Sequence, residues 1–272
     1  SGFGYEIALL AARTCHVVAT VRHQAAENAL QDAALKAGVT LDIHHADVRN
    51  NADCQAIMTH IQQQYKRLHV LINNAGIAVG GCFEDTVPQQ QQQIIDTNVH
   101  GLMNMTRAAL PLLRASKPAK IINISSIAGL CGMPGLSLYN ASKFAVEGFS
   151  EALLFELKQV GVDVVLVEPG NFDTKIFKEN LQLAPQAKAV TSPYYQFSQL
   201  AFTKLQAKIQ KRLQNPQKVA QLCVTIIHNK RPRFRYLIGH DARFRAALRH
   251  YLPFGVYRWL VHGVLGWMLR KG

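Results

Sequence analysis

Short β-branched runs alternate with helical patterns along the first 170 residues, and this alternation leaves few folds open. His16–Val21, Leu41–Ala46, Val70–Asn73, Lys120–Ile124 and Val162–Val167 read as strands. Gln24–Ala37, Asn51–Tyr65, Gln89–Ser116 and Leu138–Val160 read as the helices between them, the third interrupted near Pro111. Strands joined through helices run mostly parallel, and a parallel sheet needs cover on both faces. The predicted class is therefore α/β: a doubly wound, Rossmann-like parallel sheet with helices on both sides. Such a sheet binds ligands beyond the carboxyl ends of its strands. Further on, residues 171–215 lack strand character and read as an insertion over the sheet. Pro216–Asn229 reads as a helix, Arg235–Gly239 as a last strand, and residues 242–272 as a basic, aromatic tail. The whole chain, 1–272, is read as one domain.

At 49% apolar and 17% charged residues, the chain carries a sizeable core and is not disordered. Cys15, Cys54, Cys82, Cys131 and Cys223 form no CxxC pair, and no histidine cluster has metal-ligand spacing. Neither structural disulfides nor a metal are expected. His44, His45, His100 and His240 have no partner pattern and are assigned no chemistry. No apolar run reaches membrane-spanning length and no secretory leader opens the chain, so a reduced, cytoplasmic protein is expected. Net charge is +13, and the excess is uneven: after Lys204 the only acidic residue is Asp241. The glutamine run Gln89–Gln93, behind Pro88, reads as a solvated helix face.

Ser1-Gly2-Phe3-Gly4 runs directly into an apolar helical stretch, Tyr5–Arg13. A glycine-rich turn opening a helix is a phosphate cradle, because bare backbone approaches the phosphates and the helix N-terminus faces them. Such a turn normally follows a strand and a further glycine. The expectation is that the chain starts inside the motif, lacking its first strand and half a loop.

Tyr139 and Lys143 are four residues apart, so on a helix both side chains rise from one face. A neighbouring ammonium stabilises a phenolate and lowers the phenol pKa. A tyrosine tuned in this way exchanges protons with an alcohol or carbonyl near neutral pH. Ser126, thirteen residues before Tyr139, supplies a hydroxyl for the reacting oxygen; Ser125 is its competitor, and the offset favours Ser126. Asn98 inside a helical pattern runs against propensity, which hints at a local role.

Taken together, these residues resemble the short-chain dehydrogenase/reductase family. Ser1-Gly2-Phe3-Gly4 resembles the end of its glycine-rich turn and Asp47-Val48 its adenine-side pair. Asn73-Asn74-Ala75-Gly76 resembles NNAG, and Asn98-Val99-His100-Gly101 resembles NVxG. Pro169-Gly170 with Thr174 resembles PGxxxT. The resemblance implies Tyr139 as general acid/base and Lys143 as the residue that lowers its pKa and holds the nicotinamide ribose. It implies Ser126 as the group orienting the substrate oxygen and Asn98 as the holder of a water relaying protons to Lys143. Thr174 is either a nicotinamide contact or a helix cap. A homodimer or homotetramer is also implied.

Cofactor choice follows from the second expected strand position of the fold, where NAD enzymes carry an acid; here Val21 stands there, followed by Arg22. A guanidinium grips a 2′-phosphate that a carboxylate would repel, so NADP(H) is expected, with Arg22 as the contact and Ser1 adding a hydroxyl. Residues 175–215 are expected to form the substrate lid. They carry Ile176, Phe177, Leu181, Leu183, Tyr194, Tyr195, Phe197, Leu200 and Phe202, which suits a small apolar carbonyl or alcohol such as a steroid, retinoid or long-chain aldehyde. These features resemble the 17-beta-hydroxysteroid and retinol dehydrogenase-like branch. In the tail, Tyr251, Phe254, Tyr257, Trp259, Trp267 and Met268 interleave with arginines. Peripheral membrane contact and packing beside the substrate pocket or a second subunit stay open, while nucleic acid lacks a recognition motif. A non-catalytic NADP(H)-sensing protein on the same fold is the rival reading.

Overall fold

The computed structural model describes residues 2–177, 181–200 and 213–270. In chain order its elements are α1 (Phe3–Ala11), β1 (Val18–Val21), α2 (Gln24–Ala37), β2 (Asp42–His45), α3 (Asn51–Gln64), β3 (Val70–Asn73) and β4 (Ala78–Gly80). Then come α4 (Pro88–Ile95), α5 (Gly101–Ala115), β5 (Ala119–Ile124), α6 (Ser137–Lys158), β6 (Val162–Pro169) and β7 (Leu181–Leu183). The chain closes with α7 (Tyr195–Leu200), α8 (Gln217–His228), β8 (Arg235–Ile238), α9 (His240–Tyr251) and α10 (Phe254–Arg270).

Every strand pair among the described residues is parallel. The main sheet runs β3-β5-β6-β8, while β1 pairs with β2, and β4 with β7. β1 and β2 thus form a two-stranded sheet separate from the main one. The alternation within strands separates two cores. Ile121 and Val164 face α3, α5 and α6, meeting Ile57, Leu113 and Leu153. Their neighbours Ile122 and Val165 face α1 and α8, meeting Ile7, Cys223 and Ile226. Fully burying side chains of this size stabilises by about 1.5–3 kcal/mol each, which holds helices on both faces.

Local signals set the helix ends. His23 caps α2 by accepting from the Ala26 N–H at 3.2 Å, and Gly38, at φ 66°, ends it in the left-handed conformation. Asn50 caps α3 through the Ala52 N–H. The helix expected over 89–116 does break, but not at Pro111, which lies inside α5. The break is a π turn at Asp96–His100 that carries Asn98. Residues 171–215 do contain a strand: β7 adds to β4 through Leu181, Gln182 and Leu183. Three residues are too few to show a period. Gln90 departs from the solvated-face reading: it is buried and donates to the Leu183 carbonyl at 3.0 Å. Ser1, Phe202 and Lys204 lie outside the described residues. No helix among the described residues is long and apolar enough to cross a membrane.

Candidate active site

The polar motifs gather at the carboxyl ends of β3, β5 and β6. Tyr139 sits in the first turn of α6, 4% exposed, and a hydrogen bond joins its hydroxyl to Ser126. Ser126 leaves β5 in extended conformation and accepts from the Ala128 N–H at 3.1 Å, which starts a short 3-10 turn over Ile127–Gly129. Ser125 points elsewhere: its buried Oγ has no hydrogen-bond partner among the described residues. Lys143, one turn beyond Tyr139, donates from Nζ to the Ile124 carbonyl at 2.9 Å, and that nitrogen lies 5.8 Å from the Tyr139 ring centre.

The electrostatics differ from the simple expectation. Burial pushes the Tyr139 phenol up to about 12, and only the Ser126 hydrogen bond works against it. Burial also pulls the Lys143 ammonium down to about 8, opposed by the charge of Glu147. The expected depression of the phenol by Lys143 does not figure among the effects on Tyr139, where desolvation dominates. At neutral pH this pair is a protonated phenol beside a largely protonated amine.

Asn98 is spent on structure. Its Oδ1 accepts from the Ile77 N–H at 2.8 Å, and its Nδ2 donates to the Ile77 carbonyl and to Ser142 Oγ, both at 3.0 Å. Those bonds tie the π turn to the loop after β3 and to α6. Gly76 lies against the same amide, where a Cβ would come 3.3 Å from Asn98 Oδ1.

The glycine turn meets two of its expected neighbours. Gly2, at φ 74°, precedes α1 and lies beside Thr174; a Cβ on Gly4 would come 2.5 Å from Asn74 Nδ2. Phe3 instead packs edge-on against Phe172, with ring centres 5.6 Å apart. Ala75 follows Asn74 in the same loop after β3. Thr174 is buried, and its N–H donates to the Phe172 carbonyl. Pro169 ends β6, and Gly170 is pressed against Asp241, whose Oδ1 would sit 2.3 Å from an added Cβ. Asp241 also accepts from the Asn171 N–H, so the lone acid after Lys204 anchors α9 beside this loop.

Arg22 is exposed just past β1, close enough to lower the Asp47 pKa by its charge. The chief partner of Asp47 is Arg49, whose Nε and Nη2 grip both carboxylate oxygens. Val48 packs against Gly101, leaving no room for a side chain there.

Four groups escaped the sequence reading. Asn140, next to Tyr139, donates to the Ala128 and Cys131 carbonyls at 2.7 Å each and accepts from the Met133 N–H, lashing the Ser126 loop to α6. Asn73, Thr106, Asn123 and Ser150 form a buried hydrogen-bonded chain beneath the site. Arg235 donates to Glu147, to Glu168 at 2.6 Å and to Glu151 at 3.0 Å, clamping two buried acids under Lys143. Asn123 and Glu168, polar residues inside apolar strand runs, were legible as signals. The fourth group joins β2 to α3: the fold brings Asp42, His44 and His60 together, a juxtaposition that no local spacing in the sequence announces.

Apolar walls surround the phenol. Tyr139 packs with Ile77, Val79 and Ile94, and Ile176 and Leu181, from the segment expected to form a lid, join the same cluster. Phe197 comes against Gly135, and Ser192 and Tyr194 tie the lid to Asp85 and Glu84 by hydrogen bonds of 2.7 and 2.8 Å. From the other side α9 closes in, placing buried Ala242 on Ile127 and Cys131.

Comparison with known proteins gives this geometry a family. The short chain dehydrogenase family profile matches residues 1–183. The chain is 34% identical to a 3-ketodihydrosphingosine reductase of Bacteroides thetaiotaomicron, over 88% of this chain and 84% of that one. It is 34% identical to human retinol dehydrogenase 8, over 86% of this chain and 77% of that one. A solved short chain dehydrogenase/reductase from Burkholderia phymatum, in complex with NAD, superposes with a TM-score of 0.78 at 27% identity, covering 92% of this chain and 89% of that one. A parallel sheet covered on both faces, a serine, tyrosine and lysine at its carboxyl edge and a profile match over most of the chain lead to one conclusion: this is an oxidoreductase of the short-chain dehydrogenase/reductase family.

Proposed function

We propose that the protein interconverts an alcohol and a carbonyl on a small apolar substrate using NADP(H). The observation that carries the reading is the Tyr139 hydroxyl, hydrogen-bonded to Ser126 and enclosed by apolar side chains of the core and lid. Ser126 orients the substrate oxygen toward Tyr139 and stabilises charge developing on it. With its pKa pushed up to about 12, Tyr139 carries its proton at neutral pH, the form from which it protonates a carbonyl oxygen during reduction. Lys143 keeps a positive charge beside that proton transfer, and Asn98 fixes the π turn that faces it.

The residues present fit a dinucleotide. Gly2 at positive φ and the N-terminus of α1 offer backbone N–H groups to a phosphate, and Asn74, Ala75, Gly76, Pro169, Gly170 and Thr174 border the nicotinamide side. When bound, the nicotinamide supplies or accepts the hydride. Arg22 takes the 2′-phosphate, and the exposed setting of its side chain beyond β1 supports that role. The relatives named for 3-ketodihydrosphingosine and retinol agree with a long-chain or isoprenoid-like substrate.

Two surfaces complete the reading. On α6, Phe144 and Phe155 are exposed on one face with Ala141, Gly148 and Ala152, a largely apolar stripe bordered by Glu151 and suited to a second copy of the chain. On α10, Phe254 and Trp259 are exposed beside Arg258, suited to the surface of an anionic membrane that holds apolar substrates. The central test follows NADPH and NADH consumption with a panel of long-chain carbonyls. Wild type should prefer NADPH, Tyr139→Phe should lose at least 100-fold in kcat, and Arg22→Asp should reverse the cofactor preference. Equal turnover by wild type and Tyr139→Phe refutes the mechanism.

A further inference from the structure

Asp42 opens β2, and His44, two residues on, shares its face of the strand. That face lies under α3, which contributes His60, and the residue capping α3 contributes Tyr65. The two imidazoles approach the carboxylate from either side. His44 Nε2 lies 2.6 Å from Asp42 Oδ1, and His60 Nε2 lies 2.7 Å from Oδ2. The rings tilt over each other with centres 4.1 Å apart, and the Tyr65 hydroxyl donates to Oδ2 at 2.9 Å. One donor atom from each of Asp42, His44 and His60 lies within 4.8 Å of the others. Each of the three side chains is about a quarter exposed, at 25–28%, so the cluster is open to solvent and its donors converge rather than scatter.

We propose that Asp42, His44 and His60 form a binding site for a divalent transition-metal ion of the zinc class. Two imidazoles and a carboxylate are the ligand types that such ions take, whereas magnesium and calcium prefer oxygen alone. Metal–ligand bonds of about 2.0–2.2 Å in tetrahedral geometry place ligand atoms roughly 3.3 Å apart. The two carboxylate–imidazole distances therefore need to open by about 0.7 Å, which side-chain rotation supplies at a partly exposed site. Burial pushes the Asp42 carboxyl up, but hydrogen bonds from His60, Tyr65 and His44 outweigh it and hold it below its usual range, so the carboxylate ligand is already ionised. Coordination needs the lone pair of each Nε2.

The site lies where β2 begins, whereas Ser126 follows the end of β5 and Asn74 the end of β3. β2 pairs with β1, whereas β3 and β5 belong to the four-stranded sheet, and none of the three ligands is a residue of the reacting centre, so the metal would staple β2 to the end of α3.

The test uses the full chain after chelator treatment. Zinc is titrated by calorimetry, cobalt is followed by its visible absorption, and magnesium serves as the control. One zinc per chain should bind at micromolar or tighter affinity, cobalt should give the intense bands of a tetrahedral site, and Tm should rise with zinc but not with magnesium. H44A and H60A should each weaken zinc at least tenfold with circular dichroism unchanged. D42N, which keeps the shape and removes the charge, covers the case in which a histidine variant folds poorly and should also weaken zinc tenfold. Absence of zinc binding, or binding retained by the H44A/H60A double variant, overturns the proposal.

Discussion

Arg235→Ala should cost more stability than its partly exposed position suggests. The Arg235 guanidinium faces two acids, Glu147 and Glu168, which are 5% and 0% exposed. Glu168 Oε2 and Glu147 Oε1 have no hydrogen-bond partner among the described residues, so the arginine is the chief compensation for both. Removing one partner of a buried ion pair costs about 3–5 kcal/mol. The lower end applies, because Arg235 itself reaches solvent and its pair with Glu151 is exposed. At about 2.1 cal/mol/K of unfolding entropy per residue, 3 kcal/mol lowers the Tm of a chain this long by roughly 5 °C. The loss also depends on pH. Burial, reinforced by the charge of Glu147, pushes Glu168 up to about 7. A raised carboxyl binds its proton more readily in the folded state, so the contribution of Glu168 to stability is fully present in acid and declines as pH rises from the ordinary carboxylate range through about 7. Without Arg235 that decline steepens, and the gap from wild type should be wider at pH 8 than at pH 5.5. Calorimetry at both pH values is the assay. A Tm within 2 °C of wild type at both refutes the claim that Arg235 neutralises buried charge.

Other outcomes follow from the same geometry. Glu147→Gln removes the charge that opposes the burial-driven drop of Lys143, so the limb of the pH–rate profile belonging to Lys143 should move below about 8; an unmoved profile contradicts the coupling. Asn140→Ala frees three backbone groups that fix the Ser126 loop, and kcat should fall at least tenfold with KM for cofactor nearly unchanged, measured by steady-state kinetics. Phe144→Glu with Phe155→Glu should yield monomers in light scattering, and an unchanged mass would remove α6 as the self-association face. Gly170→Ala drives a methyl group into the Asp241 carboxylate and should lower Tm by several degrees, since both the loop after β6 and α9 must shift.

Much of the sheet was legible because its strands are long apolar runs that only a doubly covered sheet can bury. Ile121, Ile122, Val164 and Val165 announce burial on both faces, and the structure gives them that. What stayed hidden has physical causes. β4 and β7 have three residues each, and their pairing rests on contacts about a hundred residues apart. The break at Asn98 comes from a side chain bonding to the Ile77 backbone, a tertiary event that outranked the local signal of Pro111. The acid clamp of Glu147, Glu168 and Arg235 draws on α6, β6 and β8, so no window of sequence contains it. Tyr139, Ser126 and Lys143 were legible in position but not in charge balance, because desolvation depends on what the lid and core pack around them.

Asn140 has a consequence for how such a protein diverges. By fastening the Ser126 loop to the helix that bears Tyr139, it makes the proposed proton donor and its proposed aligning hydroxyl parts of one rigid body. The lid reaches that body through side chains such as Ile176, Leu181 and Phe197 and a few polar ties at its rim. Exchanging those side chains would reshape the cavity while the distance from Tyr139 to Ser126 stays fixed. The reaction is held by backbone and the choice of substrate by replaceable apolar surface, so a lineage could change its substrate repeatedly without relearning its chemistry.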